Sequence, residues 1–182
     1  MNAPMRDHRL ILPPLQRTTA DAEAFARIVH EGQFDKAGRP YVEHLAGVAH
    51  RAAAKISGMP GILSPTIASE VVQIAWLHDV VEDTRHTADD LRMEGFSDVV
   101  ADGVFALTKP LGNGAYLDWI NDLASTASLL IVLVKIADIE DNSDPERLAL
   151  LNDATRERLS AKYGAALPIL KDAAARLGWK KR

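Results

Sequence analysis

The sequence contains no cysteine among its 182 residues. This absence excludes disulfide bonds, thiolate metal ligands and cysteine nucleophiles, so histidine and carboxylate side chains remain as the candidates for binding a metal ion. The chain also lacks an excess of positive charge, since its formal net charge is -4 and its pI is about 5.8. A basic face is needed to hold the phosphate backbone of a nucleic acid, and we therefore expect no nucleic-acid partner.

Long apolar runs are missing as well. No run of residues approaches the length of a membrane span, and the segment from Met1 to His8 lacks the apolar core of a signal peptide. We therefore expect a cytoplasmic protein with no membrane partner. Assembly into a homo-oligomer is compatible with this composition, but no particular residue indicates it.

Aromatic residues are scarce at 5%, whereas hydrophobic residues of all kinds make up 47% of the chain. Helices that pack through aliphatic faces have this composition, and it predicts an all-α fold. The length suits one domain with a real core, which we place at residues 18–182. Residues 1–17 contain Pro4, Pro13 and Pro14 and little periodicity, so we expect a poorly ordered N-terminal arm there.

Apolar residues recur at helical spacing along most of the predicted domain. The pattern, with its capping residues, predicts helices over 21–32, 41–56, 65–81, 88–93, 98–107, 146–150 and 153–177. Pro168 is expected to kink or split the last of these helices. The apolar run 129–134 fits either a strand or a fully buried helix, and its helical neighbours favour the helix.

Four metal-binding side chains lie on three of the predicted helices. They are two histidines and two aspartates: His44, His78, Asp79 and Asp138. Imidazole combined with carboxylate suits a divalent ion such as Mn²⁺, Fe²⁺ or Zn²⁺, and the carboxylates offset the charge of the cation. These residues are therefore candidate ligands of one metal ion, with water in the remaining positions.

The spacing of these residues leaves other interpretations open. Residues 76–84 place ionisable groups beside an apolar helix, and a cation would offset the cost of burying His78 and Asp79. The same segment also fits a helix whose charged end is solvated. Asp138 is equally well explained as a ligand or as a helix-end carboxylate paired with Lys135.

Several motifs, taken together, resemble one known family. The chain resembles the HD-type hydrolase domain of the RelA/SpoT alarmone enzymes and its stand-alone relatives, which include small alarmone hydrolases and the metazoan SpoT homologue. The matching segments are residues 30–33 (H-x-G-Q), 38–44 (G-x-P-Y-x-x-H), 76–84 (L-H-D-x-x-E-D-T), 107–109 (T-K) and 134–142 (V-K-x-A-D-x-x-x-N). The order and spacing of the motifs extend over roughly residues 20–150, which makes a chance match improbable.

The resemblance implies an HD helical bundle in which the four candidate ligands hold one metal ion, usually Mn²⁺. It also implies that Glu82 and Asp83 activate or position water. With ppGpp as substrate, the water would attack the phosphorus of the 3′-diphosphate and release GDP and pyrophosphate. The implied cofactor is a single divalent ion, with Fe²⁺ or Zn²⁺ as alternatives to Mn²⁺.

The substrate implied by the resemblance is a small phosphorylated nucleotide, and five further residues are candidates for binding it. Cationic side chains would screen its phosphate charge, and the amide of Asn142 would hydrogen-bond its ribose or base. The cationic candidates are Lys36, Lys109, Lys135 and Arg147.

The chain departs from the family pattern at the position expected to recognise the base. Two residues after Gln33 the family has an arginine that packs on the nucleotide base, whereas this chain has Asp35. Residues 139–141 also replace more basic and apolar residues, so the pocket is expected to be more acidic. Two other functions therefore stay open: phosphatase activity on another nucleotide such as NADPH, and nucleotide binding without catalysis.

Overall fold

A computed structural model of the chain describes residues 16–180, with the exception of 58, 60–62, 111 and 113–114. Apart from Gln16 and Arg17, the predicted N-terminal arm lies outside the described residues. Within them the chain forms helices and a single isolated bridge between Phe34 and Pro40, so the predicted all-α class is confirmed. The helices are α1 (Thr19–Val29), α2 (Tyr41–Ser57), α3 (Pro65–Leu77), α4 (Val80–Asp83), α5 (Ala88–Met93), α6 (Asp98–Leu107), α7 (Tyr116–Thr126), α8 (Leu129–Asn142), α9 (Pro145–Ala149) and α10 (Asp153–Arg176).

Side-chain caps set the starts of several helices, as the sequence predicts. The Thr18 hydroxyl accepts a hydrogen bond from the Asp21 backbone, and the Asp21 carboxylate accepts one from the Thr18 backbone in return. Ser64 caps α3 and is followed by Pro65, whose missing N–H leaves no donor unsatisfied in the first turn. These caps fix where α1 and α3 enter the bundle.

The segment around His78 and Asp79 differs from the predicted helix over 65–81. Helix α3 ends at Leu77, and the short helix α4 begins at Val80. Asp79 has φ -99° and ψ -1°, outside regular helical values. Adjacent side chains of a regular helix point about 100° apart, so this break allows two neighbouring side chains to face the same space.

Helix α8 lies at the centre of the bundle, where it packs against α2, α3 and α10. Residues 132–139 are all buried, including Lys135 and Asp138. The apolar run 129–134, which fitted either a strand or a helix, therefore belongs to a buried helix, as the helices predicted on either side of it indicated. Polar side chains inside this helix require partners from the surrounding helices.

Two features near the C-terminal half differ from the expectations. No helix is predicted from the sequence between residues 115 and 128, but α7 lies there and buries Ile120, Leu123 and Ala124. Pro168 does not split α10, which is continuous from Asp153 to Arg176. Burial of Ala166 and Leu170 on either side of Pro168 stabilises the helix despite the lost backbone hydrogen bond.

None of the described helices has the length and apolarity that crossing a membrane requires.

Candidate metal centre and nucleotide cavity

The side chains of the four candidate ligands meet where α2, the α3–α4 junction and α8 approach one another. His44 Nε2 lies 3.7 Å from Asp79 Oδ2 and 3.3 Å from Asp138 Oδ1. His78 Nε2 lies 3.0 Å from Asp79 Oδ2 and 3.7 Å from Asp138 Oδ1. Ligand atoms of His44, His78 and Asp79 all fall within 4.8 Å of one another. The structure thus brings together every residue that was predicted to hold the metal.

The His78 ring is oriented by the backbone of α3. Its Nδ1 donates a hydrogen bond to the carbonyl oxygen of Ala75 at 2.8 Å, which leaves Nε2 facing the two carboxylates. Among the described residues, buried Nε2 has no partner with hydrogen-bond geometry. Burial acts to lower the pKa of His78, but Asp79 and Asp138 raise it to about 10. A bound cation would replace the proton that these carboxylates attract.

The His44 ring is oriented by a carboxylate that the sequence motifs did not reveal. Its Nδ1 donates a hydrogen bond to Asp141 Oδ2 at 2.8 Å, and Nε2 faces Asp79 and Asp138. Burial acts to lower the pKa of His44, but hydrogen bonds with Asp138 and Asp141 raise it above its usual value. A carboxylate on the far nitrogen is a common support for a metal-binding histidine, because it fixes the ring and increases its basicity.

Asp79 is held by a tyrosine at the start of α2. The Tyr41 hydroxyl lies 2.6 Å from Asp79 Oδ2 and 2.9 Å from Asp83 Oδ2, and it donates its one proton to this pair of carboxylates. The Gln33 amide also donates to the backbone carbonyl of Asp83 at 3.3 Å. Of the two predicted catalytic carboxylates, Asp83 thus shares a hydrogen-bond network with the candidate ligand Asp79.

Asp138 pairs with Lys135, as one of its two interpretations predicts, and it also faces the two candidate ligand histidines. Its Oδ1 faces the two histidines and accepts a hydrogen bond from the Asn142 amide at 2.6 Å, while its Oδ2 pairs with Lys135 Nζ at 2.7 Å. Burial acts to raise the pKa of Asp138, but Lys135 and the histidines hold it well below its usual value. Asp138 is therefore an anion that is both paired with Lys135 and directed at the histidines.

This donor set fits a divalent cation. Two imidazole nitrogens and two carboxylates converge, and the far nitrogen of each ring is already engaged by Ala75 or Asp141. The buried and unpartnered Nε2 of His78 is a polar atom that a cation would satisfy. The residues that would hold the ion are His44, His78, Asp79 and Asp138.

A cavity of about 320 Å³ opens beside this cluster, a size at the lower end for small-molecule sites. Both predicted catalytic residues and all five predicted substrate-binding residues line it, together with Asp79 and Asp138: Glu82, Asp83, Lys36, Lys109, Lys135, Asn142 and Arg147. Glu82 accepts a hydrogen bond from the Lys109 backbone at 3.1 Å. Loss of hydration in the cavity wall raises the pKa of Glu82 above its usual value.

The opposite wall of the cavity comes from α7 and α10 and was not predicted. Lys162 Nζ lies 4.0 Å from the centre of the Tyr116 ring and 5.1 Å from that of Tyr163. Burial lowers the pKa of Lys162, and the nearby charges of Lys135 and Lys36 lower it further. Lys162 therefore adds a cation from α10 to a wall in which, among the described residues, five cationic side chains face five acidic ones.

Asp35 does not add an uncompensated negative charge to the cavity. Its Oδ2 pairs with Arg147 Nη2 at 2.9 Å, and Arg147 Nη1 also binds Asp141 Oδ2 at 2.8 Å. The Asp35 side chain is only 7% exposed. Arg147 therefore offsets part of the charge that Asp35 brings to the cavity.

We expect the change Asp141→Asn to weaken metal binding by about 10- to 100-fold, since it removes the carboxylate that orients and activates His44. Calorimetric titration of the metal-stripped protein with Mn²⁺ would measure this loss. Glu140→Gln is the matched control, because Glu140 is the adjacent carboxylate on α8 and pairs instead with Lys55 and Lys171. Equal affinities of the two variants would contradict a role for Asp141 at the metal.

Gly47 allows Asp141 to reach His44. A methyl group at position 47 would overlap the Asp141 carboxylate. We expect Gly47→Ala to weaken Mn²⁺ binding and to lower the free energy of unfolding by about 1–3 kcal/mol, as overpacking commonly does. Urea denaturation and metal titration would measure the two effects.

Gly164→Ala provides the control for this helical substitution. Gly164 also lies in a helix, but nothing lies within 4 Å of the position of an added methyl group. The change should stabilise the protein by about 0.5–1 kcal/mol, because alanine has the higher helix propensity. If Gly47→Ala behaved in the same way, Asp141 would not need the space at Gly47.

An all-helical bundle with paired histidine and aspartate ligands beside a lysine-lined cavity resembles HD-type hydrolase domains. The chain is 32% identical over 160 residues, or 84% of its length, to a guanosine-3′,5′-bis(diphosphate) 3′-pyrophosphohydrolase of Haemophilus influenzae. The chain spans only 21% of the length of that relative. No family model matches the sequence.

A solved structure described under "A metazoan ortholog of SpoT hydrolyzes ppGpp and plays a role in starvation responses" has a similar fold. The TM-score is 0.65 and the sequence identity 21%, and the match covers 87% of this chain and 90% of the other. The resemblance to the RelA/SpoT hydrolase domain is thus confirmed, and so is the predicted HD-type helical fold.

Proposed function

We propose that the chain is a divalent-metal-dependent phosphohydrolase that cleaves the 3′-diphosphate of (p)ppGpp-type alarmones and releases pyrophosphate. The observation that carries the proposal is the convergence of His44, His78, Asp79 and Asp138 beside a cavity lined by Glu82 and Asp83. The similarity to a pyrophosphohydrolase supports the choice of alarmones as substrate. Manganese is the proposed metal, with Fe²⁺ or Zn²⁺ as alternatives, because these ions accept mixed imidazole and carboxylate ligands.

The lysines supply the binding energy for a substrate that carries several phosphates. Lys36, Lys109 and Lys162 line the cavity from three different segments of the chain. Lys109 and Lys162 are partly buried, so their attraction for phosphate oxygens is stronger than on an open surface, while Lys36 lies at the exposed edge. Asn142, held by Asp138 at 2.6 Å, presents its amide beside the ligand cluster and is the proposed contact to the ribose or base.

Glu82 is the proposed general base. A cation bound at the cluster would lower the pKa of water and polarise a phosphoryl oxygen. Glu82 accepts the proton of the attacking water, and its raised pKa improves it as an acceptor near neutral pH. As the new bond from water oxygen to phosphorus forms, the bond from phosphorus to the ribose 3′ oxygen breaks, and the 3′ oxygen takes up a proton.

Asp83 is proposed to position Asp79 and not to accept the proton of the attacking water. Its Oδ2 interacts with the Tyr41 hydroxyl, which also contacts the ligand Asp79. Through this hydroxyl Asp83 restrains the orientation of Asp79, and its backbone carbonyl is fixed by Gln33. Glu82 is thus proposed to transfer a proton, and Asp83 to orient Asp79.

A second candidate is a phosphatase for another ribose-phosphate nucleotide such as NADPH. The observation that favours it is the orientation of Arg147, which is held by Asp35 and Asp141, while an aspartate occupies the position of the family's base-stacking arginine. Phe34, which is 66% exposed, offers an aromatic face that does not distinguish guanine from other bases. The reaction chemistry would be unchanged, and the recognised nucleotide would differ.

The test is to incubate metal-stripped protein with Mn²⁺ and ppGpp, pppGpp, ppApp or NADPH, and to identify the products. Pyrophosphate release from an alarmone is the expected result. Release of orthophosphate from NADPH alone would support the second candidate and reject the first. Absence of turnover with every nucleotide, in protein that has bound metal, would leave a nucleotide-binding module without catalysis. Cytoplasmic location and homo-oligomerisation remain predictions.

A further inference from the structure

We infer that Asp35, a residue of the cavity loop, sets the metal affinity of the centre by acting through Arg147 and Asp141 on His44. The inference rests on the proposed metal-dependent function and goes beyond it, because Asp35 does not itself contact the four candidate ligands. It assigns a positioning role to a residue at which the chain departs from the family pattern.

Three successive contacts connect Asp35 to the candidate ligand His44. Asp35 Oδ2 lies 2.9 Å from Arg147 Nη2, and Arg147 Nη1 lies 2.8 Å from Asp141 Oδ2. The same Asp141 oxygen lies 2.8 Å from His44 Nδ1. The side chains of Asp35, Arg147 and Asp141 are 7%, 14% and 10% exposed, so water weakens these contacts little.

The other oxygen of Asp35 fixes the loop itself. Oδ1 accepts hydrogen bonds from the backbone of Ala37 at 2.8 Å and of Arg39 at 2.9 Å. Gly38 adopts φ +77° within this turn, a conformation that suits glycine. Asp35 therefore binds the turn with one oxygen and Arg147 with the other, and so connects the turn to the centre.

The sign of the effect follows from the sharing of Arg147 between two carboxylates. With Asp35 present, only part of the guanidinium binds Asp141, and the Asp141 charge remains available to His44. Without the Asp35 charge, Arg147 can engage Asp141 more fully and withdraw that charge from the imidazole. The ring becomes less basic, and a cation binds it less tightly.

The change Asp35→Asn isolates the charge, because an amide oxygen can still accept the two backbone hydrogen bonds of the turn. We expect the Mn²⁺ affinity of metal-stripped, nucleotide-free protein to fall by about 3- to 10-fold, less than for a residue in direct contact with a ligand. Calorimetric titration gives the affinity, and circular dichroism checks that the helices remain. Arg39→Gln is the control, since it removes a charge from the same loop, and the partner of Arg39 among the described residues is the exposed Glu43. An unchanged affinity in folded Asp35→Asn would overturn the inference.

A double-mutant comparison separates action through Asp141 from a general loss of structure. In an Asp141→Asn background, Asp35→Asn should cause no further loss of Mn²⁺ affinity, whereas additive losses would show that Asp35 acts by another route. Saturating Mn²⁺ should also restore the kcat of Asp35→Asn to within about twofold of the original, a rescue that a catalytic role would not allow. The calorimetric readout needs no turnover. If the original protein did not hydrolyse alarmones but Asp35→Asn still lowered the Mn²⁺ affinity, the proposed substrate would be rejected and the positioning role of Asp35 would stand.

Discussion

The Asp79→Ala protein should lose metal binding and hydrolysis together. Asp79 Oδ2, like Asp138 Oδ1, lies within 3.7 Å of both His44 Nε2 and His78 Nε2. Its removal leaves two imidazoles and one carboxylate, and the remaining charge offsets a divalent cation less well. A metal contributes several kcal/mol to stabilising the transition state, so kcat/KM should fall by about 10³-fold or more.

Metal content after dialysis and pyrophosphate release measured on the same sample would test this prediction. Asp79→Asn is a second variant that retains the size of the side chain and an acceptor for Tyr41, and it guards against a failure to fold. Asp172→Ala is the control, since Asp172 pairs with Arg176 on the exposed surface of α10. Full activity in folded Asp79→Ala would rule out Asp79 as a ligand.

The Glu82→Gln protein should bind metal normally and turn over about 10²- to 10⁴-fold more slowly, the range that a general base contributes. Glutamine keeps the shape of the side chain and its hydrogen bond from the Lys109 backbone, but it cannot accept the proton of water. KM should change little, because Glu82 is proposed to act on water and not on the ground-state substrate.

Rapid-quench measurement of a single turnover, with calorimetry for metal affinity, would separate these quantities. Glu157→Gln is the matched control and should keep full activity, because Glu157 lies on the exposed face of α10. A Glu82→Gln protein that loses its metal would place Glu82 among the ligands, and one that retains the full rate would require another base, with Asp83 as the nearest candidate.

The sequence predicts helices well where local chemistry decides them. Thr18 and Ser64 are capping residues at expected positions, and the helices that they begin are present. Helix α7 was missed even though Ile120 and Leu123 have helical spacing, because its partner surface on α10 is formed only in the folded chain. Pro168 illustrates the opposite case, since tertiary packing maintains a helix that local preference would end.

The candidate ligands could be named from the sequence because several motifs together resemble one metal-dependent family, whereas the spacing alone left other interpretations open. The supporting groups could not, since their roles depend on contacts between distant segments. Asp141 meets His44 from 97 positions away, and only the absence of a side chain at Gly47 allows the approach. The pairing of Asp35 with Arg147 was also missed, because it cannot be read from either residue alone.

Lys162 was missed for a related reason. A lysine on a long helix is most often solvated, and the periodicity of α10 does not reveal that its cavity-facing side meets Tyr116. The three-dimensional approach of α7 and α10 converts a surface residue into part of a cavity wall.

The division of the cavity between two sets of helices also bears on how such a protein can evolve. The candidate metal ligands belong to α2, α8 and the α3–α4 junction, whereas Lys162 and Tyr163 belong to α10. Substitutions at cavity-facing positions of α10, such as Lys162 and Tyr163, would therefore change the wall that meets a nucleotide and keep all four candidate ligands. Selection for a new nucleotide has separate positions on which to act, and enzyme engineers can randomise the same positions while the proposed metal centre is retained.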